Sequence, residues 1–312
     1  MNSLPTSSTP SSDIRAASQC AALAPSLLKR LVCLGLYPLL VAGAVAAYIL
    51  AKFNDWPLSS TFLGYSAARL VLLLVCEFSF PAKREWGMTR ISFLRDFKFA
   101  IINGAFFKLL GILGVALALD ASQYNIGLLQ GAPVWVEVIA LLLCFEFFQY
   151  WAHRISHEGR GIVGRLLWRV HVAHHLPTGV YVLMHAVGHP LNLLLVMLVN
   201  VPVVLLGASS DAVFFFGALM GLQGLVSHLN VDARAGSLNY LLVGTELHRY
   251  HHSADLREAG NYGAITPFWD MVFRTFVYKP GQLPDRIGVA EPEQYPQSTE
   301  VLKVLGLPLK RR

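Results

Sequence analysis

Histidines are confined to one stretch of this chain, and their spacing is the sequence feature that points most directly to chemistry. All eleven histidines of the 312 residues lie between His153 and His252. Three groups repeat a helical spacing, and the lone His228 separates the second group from the third. The groups are His153 with His157, His171 with His174 and His175, and His248 with His251 and His252.

These groups have the composition of metal-binding sites. Residues three or four positions apart share one face of an α-helix, so each group is expected to present its imidazoles together. Neutral imidazole binds iron, zinc, copper and nickel, and about four such ligands for each ion are usual. The three groups and His228 supply nine imidazoles, which is enough for two ions. Unrelated surface or core histidines would not explain the repeated helical spacings.

The composition of the chain predicts an integral membrane protein. The sequence is 54% hydrophobic and only 14% charged, and its mean hydropathy is +0.50. A soluble domain carries more charge, and several apolar runs are long enough to span a bilayer. We interpret the net charge of +6 as loop charge beside anionic headgroups, not as nucleic-acid binding. The four cysteines have neither the spacing of a metal knuckle nor that of a redox pair.

Six apolar runs are candidates for membrane segments, and we predict that about four to six of them are. They are Leu31–Leu50, Phe62–Phe80, Phe99–Leu119, Val134–Trp151, Leu191–Leu206 and Ala212–Val226. The second run contains Arg69 and Glu77, and the third contains Lys108. We interpret the two cations as long side chains that reach toward water; contact with a polar substrate group or with Glu137 is the alternative.

The distribution of Lys and Arg predicts the orientation. Positive loops mark the cytoplasmic side of a membrane protein. Basic residues are found beside the amino terminus, in the linker Pro81–Lys98, in Arg154–Arg169 and in the carboxyl tail. This places both termini and all the histidine groups on the cytoplasmic side.

The predicted fold is therefore an all-α, multi-spanning membrane helical bundle with a cytoplasmic helical cap that holds a histidine-rich di-metal site. We expect a disordered tail at residues 1–27, membrane segments and a basic linker at 28–132, a catalytic domain at 133–275 and a cytoplasmic tail at 276–312. Pro177 and Gly179 are expected to end a helix at Arg160–His175, and Thr245 is expected to cap the helix that carries the third group.

Two polar residues are candidates for orienting the histidines. Glu146, Tyr150, His153 and His157 follow one another at spacings that form one helical stripe. A carboxylate there could accept the free N–H of a ligating imidazole and fix its tautomer. Asn230 could act similarly, or it could cap a helix that ends nearby.

The segment from roughly Pro133 to Thr275 resembles the fatty acid hydroxylase/sterol desaturase superfamily of membrane di-iron enzymes. Besides the histidine groups, the resemblance rests on several short motifs. They are Glu146, Tyr150-Trp151, Trp168-Arg169, His189-Pro190, Gln223, His228-x-Asn230, Asn261-Tyr262-Gly263, Trp269-Asp270, Phe273 and Thr275. The chain departs from the family in having Glu146 where Asp is more common, and Val187-Gly188 where an Arg often precedes the His-Pro pair.

The resemblance implies an O₂-dependent enzyme that hydroxylates or desaturates a C–H bond of a membrane lipid, such as a sterol or a fatty acyl chain. It implies that nine residues hold two non-haem iron ions: His153, His157, His171, His174, His175, His228, His248, His251 and His252. His185 matches none of the motifs, and His189 is a weaker ligand candidate than the nine.

The electrons for such a reaction are expected from a separate protein, for example a cytochrome b5-like protein, a ferredoxin or a reductase. His189-Pro190 lacks the paired glycines of a cytochrome b5 haem motif, and the sequence has no dinucleotide-binding glycine motif. A non-enzymatic membrane metal-binding or metal-transport protein is the alternative. Transporters, however, place their ligands near the bilayer midplane, whereas these groups lie at the predicted ends of spans.

Overall fold

The chain folds into a helical bundle. The computed structural model describes residues 27–116 and 127–310, and within these ranges it contains α-helices, short 3₁₀ turns and two isolated β-bridges but no β-strand. The α-helices are α1 (Leu27–Phe53), α2 (Leu58–Ser79), α3 (Arg90–Ala116), α4 (Val134–Glu158), α5 (Gly161–His175), α6 (Pro190–Leu205), α7 (Ser210–Ser227), α8 (Thr245–His251), α9 (Phe268–Val272) and α10 (Val301–Leu305).

Four helices, α1, α2, α4 and α7, are long and apolar enough to cross a membrane, and α6 is a shorter apolar helix. The prediction of an all-α, multi-spanning bundle is thus confirmed. The predicted third run, Phe99–Leu119, begins within α3, but its last residues are outside the described part, so its role as a span stays a prediction. The expected tail at residues 1–27 is also outside it except for Leu27.

Helix α7 joins the two apolar clusters of the bundle. One cluster packs α7 against α1 and α2, with Leu73 and Leu222 fully buried. The other packs α7 against α4 and α6, where the rings of Phe145 and Phe216 meet edge to face with centroids 5.6 Å apart. Because α7 has apolar neighbours on both sides, its position is fixed along most of its length.

The charged residues inside the predicted spans are mostly buried. Arg69 is 5% exposed and donates to the carbonyl of Ala218 on α7 (3.2 Å), so the expectation that it reaches toward water is wrong. Its alternative partner Glu137 instead accepts hydrogen bonds from the backbone and side chain of Ser209, where α7 begins. Lys108, in contrast, is exposed on α3.

The two ends of the bundle differ in what they contact. At one end, Lys52 forms a 2.7 Å ion pair with Asp211, which joins the end of α1 to the start of α7. At the other end, α2, α4 and α7 finish against a cap that contains α5, α8, α9 and α10. Glu77, near the end of α2, accepts the backbone N–H of Val182 and that of Asn230, both at 2.9 Å. The carboxylate thus attaches two cap segments to a spanning helix.

The cap helices begin and end close to the predicted positions. Helix α5 ends at His175, as Pro177 and Gly179 indicated. The expectation that Thr245 caps α8 is wrong, because Thr245 is the first residue of the helix and Gly244 occupies the capping position. The Thr245 hydroxyl instead donates to the carbonyl of Val226 (2.8 Å) and holds α8 against the end of α7.

Replacing Glu77 with Ala is predicted to destabilise the fold, because two buried backbone N–H groups lose their acceptor. Each unsatisfied group costs on the order of 1–3 kcal/mol. The thermal unfolding midpoint of the detergent-solubilised protein is therefore expected to fall clearly. Glu85→Ala is the matched control, since Glu85 is exposed on a short turn only a few residues away. Equal midpoints for the two variants would contradict this role of Glu77.

Candidate metal centre

The structure brings the nine predicted histidines together as two clusters in the cap. In each cluster, one ring nitrogen from every member lies within 4.8 Å of those of the others. The first cluster contains His153, His157, His171, His175 and His251, and the second contains His174, His228, His248 and His252. Residues separated by about a hundred positions therefore converge as the helical spacing predicted.

Each His-x-x-His-His group is divided between the two clusters. In α5, His171 and His175 enter the first cluster and His174 enters the second. In the third group the assignment is the opposite. His248 in α8 and His252, the residue after α8, belong to the second cluster, and His251 belongs to the first. In each group, the two histidines four positions apart thus share a cluster, and the third histidine belongs to the other cluster.

The two clusters are in direct contact. The rings of His175 and His252 stack with centroids 4.4 Å apart, and those of His248 and His251 are 5.1 Å apart. Both pairs join one cluster to the other. Two ions bound here would therefore be close neighbours.

Backbone carbonyls determine the tautomer of several imidazoles. The Nδ1 atoms of His153 and His174 lie 2.7 Å from the Tyr262 oxygen and 2.8 Å from the Val187 oxygen, respectively. Because a carbonyl can only accept, each Nδ1 carries the proton and each Nε2 presents a lone pair to the cluster. His228 and His251 are oriented in the same way, since their Nδ1 atoms lie 3.0 Å from the carbonyls of Gly224 and Gly260.

This orientation makes a bound cation a good fit. The Nε2 atoms of His174 and His228 are 3.0 Å apart, although both Nδ1 atoms already hold the ring protons. Two lone pairs at this distance repel each other unless a cation lies between them. The buried Nε2 atoms of His157 and His251 also have no hydrogen-bond partner within the described residues.

The nitrogen spacing also indicates the coordination geometry. With metal–nitrogen distances of about 2.1 Å, ligands at right angles are about 3.0 Å apart and tetrahedral ligands about 3.4 Å apart. Five imidazole nitrogen pairs in the two clusters are separated by 3.0–3.1 Å. The arrangement therefore fits an ion with five or six ligands better than a tetrahedral structural zinc site.

Burial keeps the clustered imidazoles neutral. It lowers the pKa values of His171, His175 and His228 well below the ordinary value, and neighbouring imidazoles lower them further. The same two causes lower the pKa values of His248 and His252. Since a protonated imidazole cannot bind a metal, this low basicity toward protons leaves the lone pairs available at neutral pH.

Glu146 and Asn230 act differently from the sequence-based expectation. Glu146 is fully buried, but its carboxylate accepts the backbone N–H groups of Ala264 (3.0 Å) and Ile265 instead of an imidazole N–H. The amide of Asn230 exchanges two hydrogen bonds with the backbone of Lys83. Both residues therefore have backbone groups as hydrogen-bond partners, and not imidazoles. They position loops that adjoin the clusters.

Asp270 has an orienting role that the spacing alone did not reveal. Its carboxylate accepts the backbone N–H groups of Tyr262 and Gly263, both at 2.8 Å, and the hydroxyl of Thr275 at 2.6 Å. The carbonyl of Tyr262 is the acceptor for His153. Asp270 therefore acts on the first cluster through the backbone, and its place in the Trp269-Asp270 motif was the only sequence signal.

The two remaining histidines are not members of either cluster. His189 accepts the backbone N–H of Leu191 at the start of α6 (3.1 Å), and its Nε2 lies 3.1 Å from the carbonyl of Leu305. Its role is thus to cap a helix and to connect it to α10. His185 lies beside the second cluster, with its ring centroid 5.4 Å from that of His228.

Comparison with known proteins supports an enzyme of lipid metabolism. Residues 138–275 match the fatty acid hydroxylase family. An ornithine lipid hydroxylase of Rhizobium tropici is 35% identical over 159 residues, which are 50% of this chain and 46% of that protein. A very-long-chain aldehyde decarbonylase of Oryza sativa is 25% identical over 151 residues, 46% of this chain and 54% of that protein. The predicted resemblance to the superfamily is thus confirmed.

The similarity is limited in extent. The chain spans about half the length of the curated relatives it matches. No solved structure matches it. The matched segment nevertheless includes all nine clustered histidines together with Glu146, Asn230 and Asp270.

Replacing Asp270 with Ala is predicted to weaken metal binding by the first cluster, because the backbone that orients His153 loses its support. Loss of a group that orients a ligand typically reduces metal affinity by about 10- to 100-fold. The affinity is to be measured by chelator competition on the purified protein. The exposed Asp285 provides a control as Asp285→Ala, and identical competition curves for the two variants would refute the role of Asp270.

Proposed function

We propose that this chain, whose residues 138–275 match the fatty acid hydroxylase family, is a membrane non-haem di-iron oxidoreductase that uses O₂ to hydroxylate, or desaturate, a C–H bond of a membrane lipid. The observation that carries the proposal is the pair of contacting all-histidine clusters whose lone pairs face one another. Nitrogen-only ligands with near right-angle spacing suit iron in a site that activates O₂.

The nine clustered histidines would hold the two ions. Bound iron supplies the redox chemistry that activates O₂ and oxidises an unactivated C–H bond. The protein contributes neutral imidazoles, and carbonyls such as those of Val187 and Gly224 fix their orientation. Because His175, His228 and His252 are buried in the cap, bulk water has little access to the reacting groups.

A membrane lipid is the best-supported substrate class. The clusters lie where α4 and α7 end, so a lipid in the adjacent leaflet could reach them without leaving the bilayer. The relative from Rhizobium tropici is named as a hydroxylase of ornithine lipid, which supports a lipid with a polar headgroup. Sterol, fatty acyl and carotenoid substrates fit the same chemistry.

The reaction requires an external electron donor. Hydroxylation places one oxygen atom of O₂ in the lipid and releases the other as water, which consumes two electrons that the substrate does not provide. We assign this role to a separate cytochrome b5-like protein, ferredoxin or reductase. The exposed Arg160 and Arg165 of the cap would attract an acidic donor. By the positive-inside rule, the cap and both termini face the cytoplasm.

Replacing His174 or His251 with Ala is predicted to abolish turnover and to remove one of about two irons per chain. Each residue belongs to a different cluster from the other two histidines of its group, so its replacement removes one imidazole ligand from one ion. Iron is to be determined by elemental analysis, together with an absorption spectrum that lacks a Soret band. His189→Asn is the control, because it removes an imidazole outside both clusters and keeps a capping acceptor. Full activity of either alanine variant would refute the assignment.

The lipids of cells that produce the protein provide the test of the reaction itself. Mass spectrometry is to compare extracts from cells with the wild-type chain and cells with the His251→Ala variant at equal protein levels. A lipid that gains one oxygen atom only with the wild type indicates hydroxylation, and one that loses two hydrogen atoms indicates desaturation. Indistinguishable extracts in the presence of a competent electron donor would contradict an oxidoreductase function on lipids.

A further inference from the structure

His185 lies next to the cluster that has fewer ligands. The first cluster contains five imidazoles and the second only four. Ring centroids within the second cluster are separated by distances from 4.5 Å, for His228 and His248, to 6.4 Å, for His174 and His248. The distance of 5.4 Å between His185 and His228 is within this interval. His185 is therefore as near to His228 as some ligands of one cluster are to each other.

A glycine on α7 provides the space for this ring. A Cβ atom at Gly224 would be 2.7 Å from Cε1 and 2.9 Å from Nε2 of His185, so the His185 ring would have to shift to admit a side chain there. The carbonyl of Gly224 is also the group that orients His228, at 3.0 Å from its Nδ1. One residue thus admits the His185 ring and sets the direction of the adjacent ligand.

The segment that carries His185 is attached to the site on both sides. The 3₁₀ turn Val182–Ala186 begins where Glu77 accepts the N–H of Val182 (2.9 Å). Immediately after the turn, the carbonyl of Val187 accepts the Nδ1–H of His174 (2.8 Å). His185 is consequently held between an anchor to α2 and a hydrogen bond to a member of the second cluster.

The ring of His185 is free to accept a new partner. Its neighbours in the turn, Val182 and Met184, are fully buried, whereas part of the His185 side chain is exposed. Within the described residues, neither nitrogen of His185 has a hydrogen-bond partner. An imidazole that is partly exposed, lacks a hydrogen-bond partner and lies beside a cluster of four imidazoles has the properties of a further ligand.

We propose that His185 is the tenth metal ligand and completes the second cluster to five imidazoles. This inference rests on the proposed function, because it presumes that the clusters bind metal. The ring nitrogens of the four members of the second cluster lie within 4.8 Å of one another, and those of His185 are not among them. Metal binding by His185 would therefore require its side chain to rotate toward the ion. Each ion would then have five histidine ligands, although the five ligands of the second ion do not follow a regular spacing in the sequence.

The test compares His185→Ala with the His189→Asn control and the wild type, each purified in detergent and loaded with Fe²⁺ without oxygen. Chelator competition is expected to show that His185→Ala keeps one tightly bound iron and releases the other at a chelator concentration at least about tenfold lower. X-ray absorption at the iron edge should show fewer imidazoles per iron than in the wild type. Release curves that match those of the wild type would overturn the proposal.

A second variant guards against misfolding. Gly224→Ala displaces the His185 ring and keeps every histidine, so it should weaken the same iron as His185→Ala does. If both variants bind two irons like the wild type but lose lipid turnover, His185 contacts substrate and is not a ligand. A wild-type chain that binds no iron would refute the proposed function, whereas two irons with unchanged release in both variants would refute only the role of His185.

Discussion

Desolvation of imidazole lone pairs is the constraint on which the remainder of this structure depends. Nine neutral rings are packed so closely that the acceptor Nε2 atoms of His174 and His228 face each other at 3.0 Å. Such an arrangement is unfavourable by itself, because each lone pair has lost water and gained no donor. The surrounding fold must hold the rings in place, and a cation between them removes the conflict. The metal centre and the stability of the cap are therefore linked.

Buried carboxylates provide this support indirectly. Glu146 and Asp270 each accept two backbone N–H groups from one loop beside the clusters, and Glu77 accepts one from each of two segments there. The loops in turn present carbonyls to imidazoles, as Tyr262 does for His153. An acidic side chain in direct contact with an imidazole would hold one ring only. A carboxylate that fixes a loop orients the whole backbone on which several contacts depend.

The sequence predicted the positions of the helices and the membership of the metal centre, because both follow from spacing. Apolar runs of span length gave α1, α2, α4 and α7, and the histidine groups identified all nine clustered residues. The sequence did not predict that His171 and His174 belong to different clusters, since that depends on the angle between α5 and α8. Nor could it show that Val187 and Gly224 supply acceptors, because a backbone carbonyl is common to every residue type. The role of Glu146 was missed for a similar reason: its partners are backbone groups more than a hundred residues away.

The division of adjacent histidines between two clusters has a consequence for how this centre can vary. His174 and His175 are consecutive residues, with Cα atoms about 3.8 Å apart across one peptide bond, yet they belong to different clusters. His251, the last residue of α8, and His252, the next residue, are divided between the two clusters in the same way. The covalent backbone therefore limits how far the two clusters can lie from each other. Replacing a side chain can change the members of one cluster, whereas a change in the spacing between the clusters would require movement of the helix backbone.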